Sequence, residues 1–375
     1  MLFYLFLFTM SNVFIYYGVK LKNKALGNVL SMVGILILSL AGGFRGIKVG
    51  TDTNFYVYHL FDLATYSDNF DFFKTFSKSY YDCSDYSYLL LTYIIAKKFN
   101  NFNIFLFIVE ILIVYPIFKT LKINNKNNSN NIAFGMIIFC LAFYNSTFNM
   151  VRQSLALSFL LLSLSYYMKD NTKLKDYIIS LLLLIIAIGF HSTCLISLII
   201  YFTYFILKKK RIKLIYKKLL IFIIFLFTLI IVLNYTKIIK ILYNKGIYEH
   251  GILYLENYQN VDFSFVDNFL YISILYLIIS KKNIFKLNNE KYLIYVLIAI
   301  EGLLLLEIGT FIQYAERLSF YFLYPSVLIA LPQTIENKIK SQRSFIIIFV
   351  VIVYWLYKIA FLNSHNTIPY YFQLY

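Results

Sequence analysis

Charge is scarce in this chain. Asp, Glu, Lys and Arg make up only 14% of its 375 residues, too few to cover a water-soluble fold of that size. Cysteine is nearly absent. Cys83, Cys140 and Cys194 have no metal-ligand spacing and imply no disulfide framework. Four prolines and no internal repeat argue against the broken, repeated helices of secondary transporters. Acids are outnumbered 18 to 35, which gives a net charge of +17. That excess would suit nucleic acid, but the basic residues sit in short clusters between apolar runs, the pattern of membrane topology; nucleic acid is excluded as a partner. No Walker loop, GxGxxG, HExxH, CxxC or paired DxD acid is present, so neither a cofactor nor a metal is expected.

What remains is apolar. Hydrophobic residues are 60% of the chain and aromatics 20%. Runs of about membrane length recur throughout, and in lipid such runs must be helical. The short alternating segments of a β-barrel are missing. Apolar segments fall at 2–19, 28–44, 86–99, 103–118, 132–149, 151–167, 177–190, 192–207, 219–235, 265–280, 292–308, 318–333 and 345–361. The first lacks a basic leader and a cleavage site, and reads as a retained span. The segment 86–99 is the shortest and ends in Lys97-Lys98. If it does not cross and the N-terminus is outside, 23 of the 35 basic residues lie on the inner side.

The expectation is therefore an all-α polytopic bundle of about twelve spans. It forms a single integral membrane domain over 1–375, with one re-entrant or interfacial helix at 86–99. Two outer loops, 45–85 and 236–264, are long and rich in Tyr and Phe, where a membrane enzyme would build its site.

Arginine is rare, with five against thirty lysines. Arg211 and Arg343 fall in inner loops. Arg45, Arg152 and Arg317 fall at the outer ends of segments. A guanidinium binds phosphate through two parallel donors and stays charged where water is scarce. These three are either diphosphate ligands or interfacial anchors. His191, in Gly189-Phe190-His191-Ser192, can serve as a general base, donate an N–H to a phosphate, or be an interfacial residue bonded to a backbone carbonyl. His250, beside Glu249, reads as solvated, and His59 and His365 as bland. Asp52, in Gly50-Thr51-Asp52-Thr53, can cap a helix starting near Asn54, pair with Arg45, or orient a hydroxyl. Glu316 precedes Arg317 and can reach a different arginine. Glu110 and Glu301 lie within apolar segments and read as hydrogen-bonded packing groups.

Four stretches stand in order. They are Arg45-Gly46-Ile47-Lys48-Val49-Gly50-Thr51-Asp52-Thr53-Asn54-Phe55-Tyr56, Val151-Arg152-Gln153-Ser154-Leu155-Ala156, Gly189-Phe190-His191-Ser192 and Glu316-Arg317-Leu318-Ser319-Phe320-Tyr321. Together they resemble the EpsG-like branch of the Wzy polysaccharide polymerases, over about residues 40–325. The tail after Pro332 adds little to the likeness.

The resemblance implies a GT-C-like membrane fold and a metal-independent glycosyltransferase. Such an enzyme moves a growing glycan from undecaprenyl diphosphate to a lipid-linked oligosaccharide repeat unit. It works at the outer face of the bacterial cytoplasmic membrane, in making O-antigen, capsule or exopolysaccharide. Its partners would be that lipid-linked glycan, membrane lipid, and a chain-length regulator and flippase of the same pathway. His191, Asp52, Arg152 and Arg317 would be catalytic; Arg45 and Glu316 would bind substrate. The rival readings are a lipid-linked oligosaccharide flippase and a membrane O-acyltransferase using His191.

Overall fold

A computed structural model describes residues 1–209, part of 213–244, and 265–279, 289–309, 315–334 and 342–374. The described residues are almost wholly helical. They divide into two compact units, Met1–Cys194 with Leu331–Tyr375, and Leu195–Ala330.

The first unit is built on long helices whose starts are marked by asparagine. Helix α1 spans Leu2–Lys20, and α2 spans Lys24–Gly43, with Asn23 accepting from the amides of Ala25 and Leu26. Small side chains let these two approach, and Ser11 donates to the Gly34 carbonyl at 2.8 Å. The stretch expected as an outer loop is itself structured. A π turn at Thr53–Val57 leads into α3 (Tyr58–Tyr66), followed by α4 (Phe70–Tyr81) and α5 (Tyr86–Phe99). Helix α6 (Phe102–Asn124) starts on Asn101, which accepts from the Ile104 amide. It packs on α2.

After α7 (Ser129–Ile138) come a π turn at Phe139–Tyr144 and the short turn Asn145–Thr147. Helix α8 (Val151–Tyr167) packs on α6 and on α9 (Leu174–Phe190). The second unit holds α10 (Leu198–Lys208), α11 (Tyr235–Asn244), α12 (Phe265–Ile279), α13 (Asn289–Ile308) and α14 (Ala315–Pro325). Within it α13 packs against α10, α12 and α14. The chain returns to the first unit through α15 (Gln342–Trp355), which ends in a π turn at Leu356–Phe361.

The all-α expectation stands, but the count of about twelve spans is corrected. Among the described residues, four helices are long and apolar enough to cross a membrane: Leu2–Lys20, Lys24–Gly43, Phe102–Asn124 and Ser344–Phe361. The reason is helical continuity. Hydropathy sees 132–149 as one run, whereas the backbone breaks it into α7, a π turn and a short turn. Helices α8 and α9 have 17 residues each, about 25 Å at 1.5 Å per residue, against roughly 30 Å of hydrocarbon. Helix α13 is long enough but carries Glu290, Lys291, Glu301 and Glu307. The segment 219–235 lies partly outside the described residues, and the expected outer loop 236–264 does so from residue 245 onward.

The C-terminal tail, from which the sequence promised little, folds back over the segment after α2. The amide of Gly46 donates to Tyr371 O, that of Gln373 to Phe44 O, and that of Gly50 to Asn366 O. Tyr4 Oη donates to Thr367 O at 2.9 Å, and Asn145 Nδ2 donates to Thr367 Oγ1 at 2.9 Å. This stitching fixes the backbone on which Asp52 stands.

Candidate functional site

Asp85 lies just ahead of α5, where a carboxylate ordinarily bonds the helix's first amides. Its side chain makes no such bond and reaches across the unit instead. Oδ2 accepts from Arg152 Nη1 at 2.9 Å and lies 3.1 Å from His191 Nδ1. Oδ1 accepts from the Ser192 amide at 3.0 Å. The carboxylate is 4% exposed, whereas Arg152 is 20% and His191 23% exposed. A buried acid thus holds two basic side chains that both reach solvent.

Local structure places each member. His191 ends α9, and Gly189, two residues earlier, lets that end close on the start of α5. A Cβ at Gly189 would fall 2.1 Å from Ser87 Oγ. Arg152 is the second residue of α8. The first amide of that helix, at Val151, donates to Asp52 Oδ2 at 3.3 Å. Asp52 therefore caps α8, not the helix that follows it in sequence. Tyr56 Oη donates to the same Asp52 oxygen at 2.9 Å. Arg152 Nε in turn donates to Tyr56 Oη at 3.4 Å, with the guanidinium 4.9 Å from the Tyr56 ring centroid. The turn before Asp52 needs Gly50, at φ +92°, where a Cβ would also strike the Phe148 carbonyl.

Burial alone would raise the Asp85 pKa. The hydrogen bond and charge of His191, the charge of Arg152 and the Ser192 amide outweigh it and hold the carboxyl below its ordinary 3.8. Asp85 is then an acceptor only, so a neutral His191 ring must carry its proton on Nδ1 to bond it. That leaves Nε2 as a proton acceptor.

Arg45 sits elsewhere in the same unit. It is fully buried, with Nη1 donating to Glu110 Oε1 at 3.2 Å and to Gly42 O at 2.6 Å, and Nε donating to Thr53 Oγ1 at 3.2 Å. Its guanidinium lies over the Phe148 ring at 4.3 Å. Thr147 Oγ1 also donates to Glu110 Oε1, at 3.3 Å. This ion pair ties α2 and α6 to the turn ahead of α8.

Arg152, His191 and Asp52 are thus brought into one network. Glu316 and Arg317 lie in the first turn of α14 in the second unit, where Arg317 is exposed. His365 Nδ1 lies 3.3 Å from Asn149 Nδ2, while Glu249 and His250 lie outside the described residues. Among the described residues, no three His, Cys, Asp or Glu side chains gather to hold a metal ion.

Sequence reading missed Asp85, one of six aspartates in the expected loop 45–85 (with Asp52, Asp62, Asp68, Asp71 and Asp82), and it missed the role of Tyr56. The one available signal was the site motif itself. The expected topology puts Arg152 and His191 on one face, and two basic side chains set close together call for an acid between them.

No curated protein and no solved structure matches the chain. A family model does, over residues 28–372, a span that takes in Arg45, Asp52, Asp85, Arg152, His191 and Arg317. The chain belongs to the EpsG family and has that family's membrane glycosyltransferase role in polysaccharide biosynthesis.

Proposed function

We propose that the chain is a polysaccharide polymerase. It transfers a growing glycan from undecaprenyl diphosphate to a sugar hydroxyl of a lipid-linked repeat unit, at the outer face of the bacterial cytoplasmic membrane. The observation that carries this reading is the Asp85 carboxylate set between the Arg152 guanidinium and His191 Nδ1.

In the reaction the acceptor oxygen attacks the anomeric carbon while the bond from that carbon to the diphosphate oxygen breaks. The hydroxyl proton passes to Nε2 of His191. The bonding electron pair leaves on the diphosphate, whose growing charge Arg152 meets with a preorganised donor. Asp85 fixes the tautomer of His191 and the direction of Arg152. Asp52 acts through Tyr56 and the start of α8, as a positioning residue. Buried Arg45 supports the frame. Arg317, with Glu316, enters this reading through the family resemblance and is tested by its own variant.

The test is polymerisation of lipid-linked repeat units by the purified chain in liposomes. Long glycan and free undecaprenyl diphosphate should appear together and persist in a chelator, since the leaving group's charge is met by arginine. His191→Ala should slow transfer about 10²–10⁴-fold. Arg152→Lys, which keeps the charge but loses the fork, should abolish long polymer at normal protein levels, and Arg317→Lys asks the same of Arg317. Movement of intact repeat units across the bilayer without new glycosidic bonds would replace the polymerase reading with a flippase. Strict dependence on added divalent metal would overturn the arginine-based mechanism.

A further inference from the structure

At the other end of the same helices, four lysines converge on one cavity. Its volume is about 580 Å³, and it lies in the first unit between the start of α2, the end of α6 and the end of α8. Lys119, Lys122, Lys126 and Lys169 line it, together with Asn28 and Asn127. Arg152 opens α8 and Lys169 follows its end, so about 25 Å of helix separates this cavity from the Asp85 network.

Three of the four lysines are weakly held. Among the described residues Lys119 and Lys122 make no ion pair. Lys126 has only an exposed contact, 3.9 Å from Asp170, and Lys169 pairs with Asp176 at 3.0 Å. Lys122 Nζ donates to Asn28 Oδ1 at 3.4 Å. Lys126 and Asn127 reach the rim through positive φ angles, 48° and 61°, a conformation most residues avoid. Lysines that serve topology alone need no shared cavity.

Apart from Ser31, the remaining wall is largely apolar. Met32 and Tyr115 are exposed on α2 and α6, with Phe118 buried beside them. Both helices are long and apolar enough to cross a membrane. Lysines beside apolar side chains at the end of spanning helices match a headgroup with its chains.

We propose that this cavity binds an anionic phospholipid, its phosphate among Lys119, Lys122, Lys126 and Lys169 and its acyl chains along Met32 and Tyr115. The ligand is a resident lipid, separate from the glycan carrier, so the assignment stands whatever reaction the other end performs.

Native mass spectrometry of the full chain in detergent, titrated with phosphatidylglycerol, tests it. Phosphatidylglycerol should be retained where phosphatidylcholine is not, and millimolar inorganic phosphate should not displace it. The double variant Lys119→Gln, Lys122→Gln should bind about 25-fold more weakly, at roughly fivefold per lysine. Lys22→Gln with Lys175→Gln, exposed outside the cavity, should bind as the parent does, and thermal unfolding of both pairs should match the parent. Equal weakening in the control pair would reduce the effect to general surface charge and overturn the site. Equal retention of phosphatidylcholine, or displacement by inorganic phosphate at concentrations equal to the lipid, would overturn the phospholipid assignment.

Discussion

The two ends of α6 and α8 treat positive charge in opposite ways. At one end each arginine has a buried carboxylate of its own, Arg45 with Glu110 and Arg152 with Asp85. At the other end lysines crowd a cavity with two acids nearby, one of them exposed. A buried acid fixes the position and direction of its cation, at the cost of desolvating both. Loosely held lysines keep their long stems free and offer charge without direction. The first arrangement suits a site where one atom must meet one other atom. The second suits a surface that accepts any headgroup of the right sign.

If that contrast is right, removing an acid from the arginine end should hurt far more than removing a lysine from the other. Asp85→Asn is isosteric but can no longer fix the His191 tautomer or balance Arg152. Polymer synthesis should fall about 10²–10⁴-fold with normal membrane levels, as measured by rate of chain growth in liposomes. Unchanged growth would reduce Asp85 to a structural tether.

Next in size is stability. Glu110→Ala leaves Arg45 buried and uncompensated and should cost about 3–5 kcal/mol. Lys122→Ala at the opposite end should stay within about 0.5 kcal/mol. Thermal unfolding in detergent compares them directly, and equal shifts would erase the distinction between the two ends.

The smallest effect concerns pH. The Asp85 pKa is lower in the folded chain than the ordinary 3.8, so the unfolded chain binds this proton more tightly. The stabilisation is then complete above the ordinary carboxylate range and lost as pH falls through the lowered value. The part of the melting-temperature gap between the parent and Asp85→Asn that comes from the carboxylate should close as pH falls below about 4. A gap that closes nearer neutrality would assign it to another group.

Much of the local structure was legible. The segments 86–99 and 151–167 coincide with α5 and α8, because apolar content and flanking polar residues mark helix ends directly. Arg152, His191 and Asp52 stood out by residue type and order, and the structure joins them in one hydrogen-bonded network. What the sequence hid was partnership at a distance. Asp85 bonds residues 67 and 106 positions away, and nothing beside it marks it off from five other loop acids. Asp52 was legible as a cap, but its helix was misjudged, since the capped amide is 99 residues on. The span count failed because hydropathy averages over the π turn at Phe139–Tyr144 without registering that the helix changes there, and because helices such as α8 and α9 stop at 17 residues.

The folded-back tail bears on the order in which the protein is completed. Lys48 bonds Tyr371, 323 residues further along the chain, and Gly46, Gly50 and Phe44 likewise bond backbone groups between Asn366 and Gln373. While the ribosome is still at work, the segment carrying Arg45 and leading to Asp52 has no tail to close on. The helices of the first unit can therefore enter the membrane before the network that depends on them is finished. A chain stopped a dozen residues short would keep every charged group of the Asp85 network and lack the clasp that holds the turn before Asp52 in place.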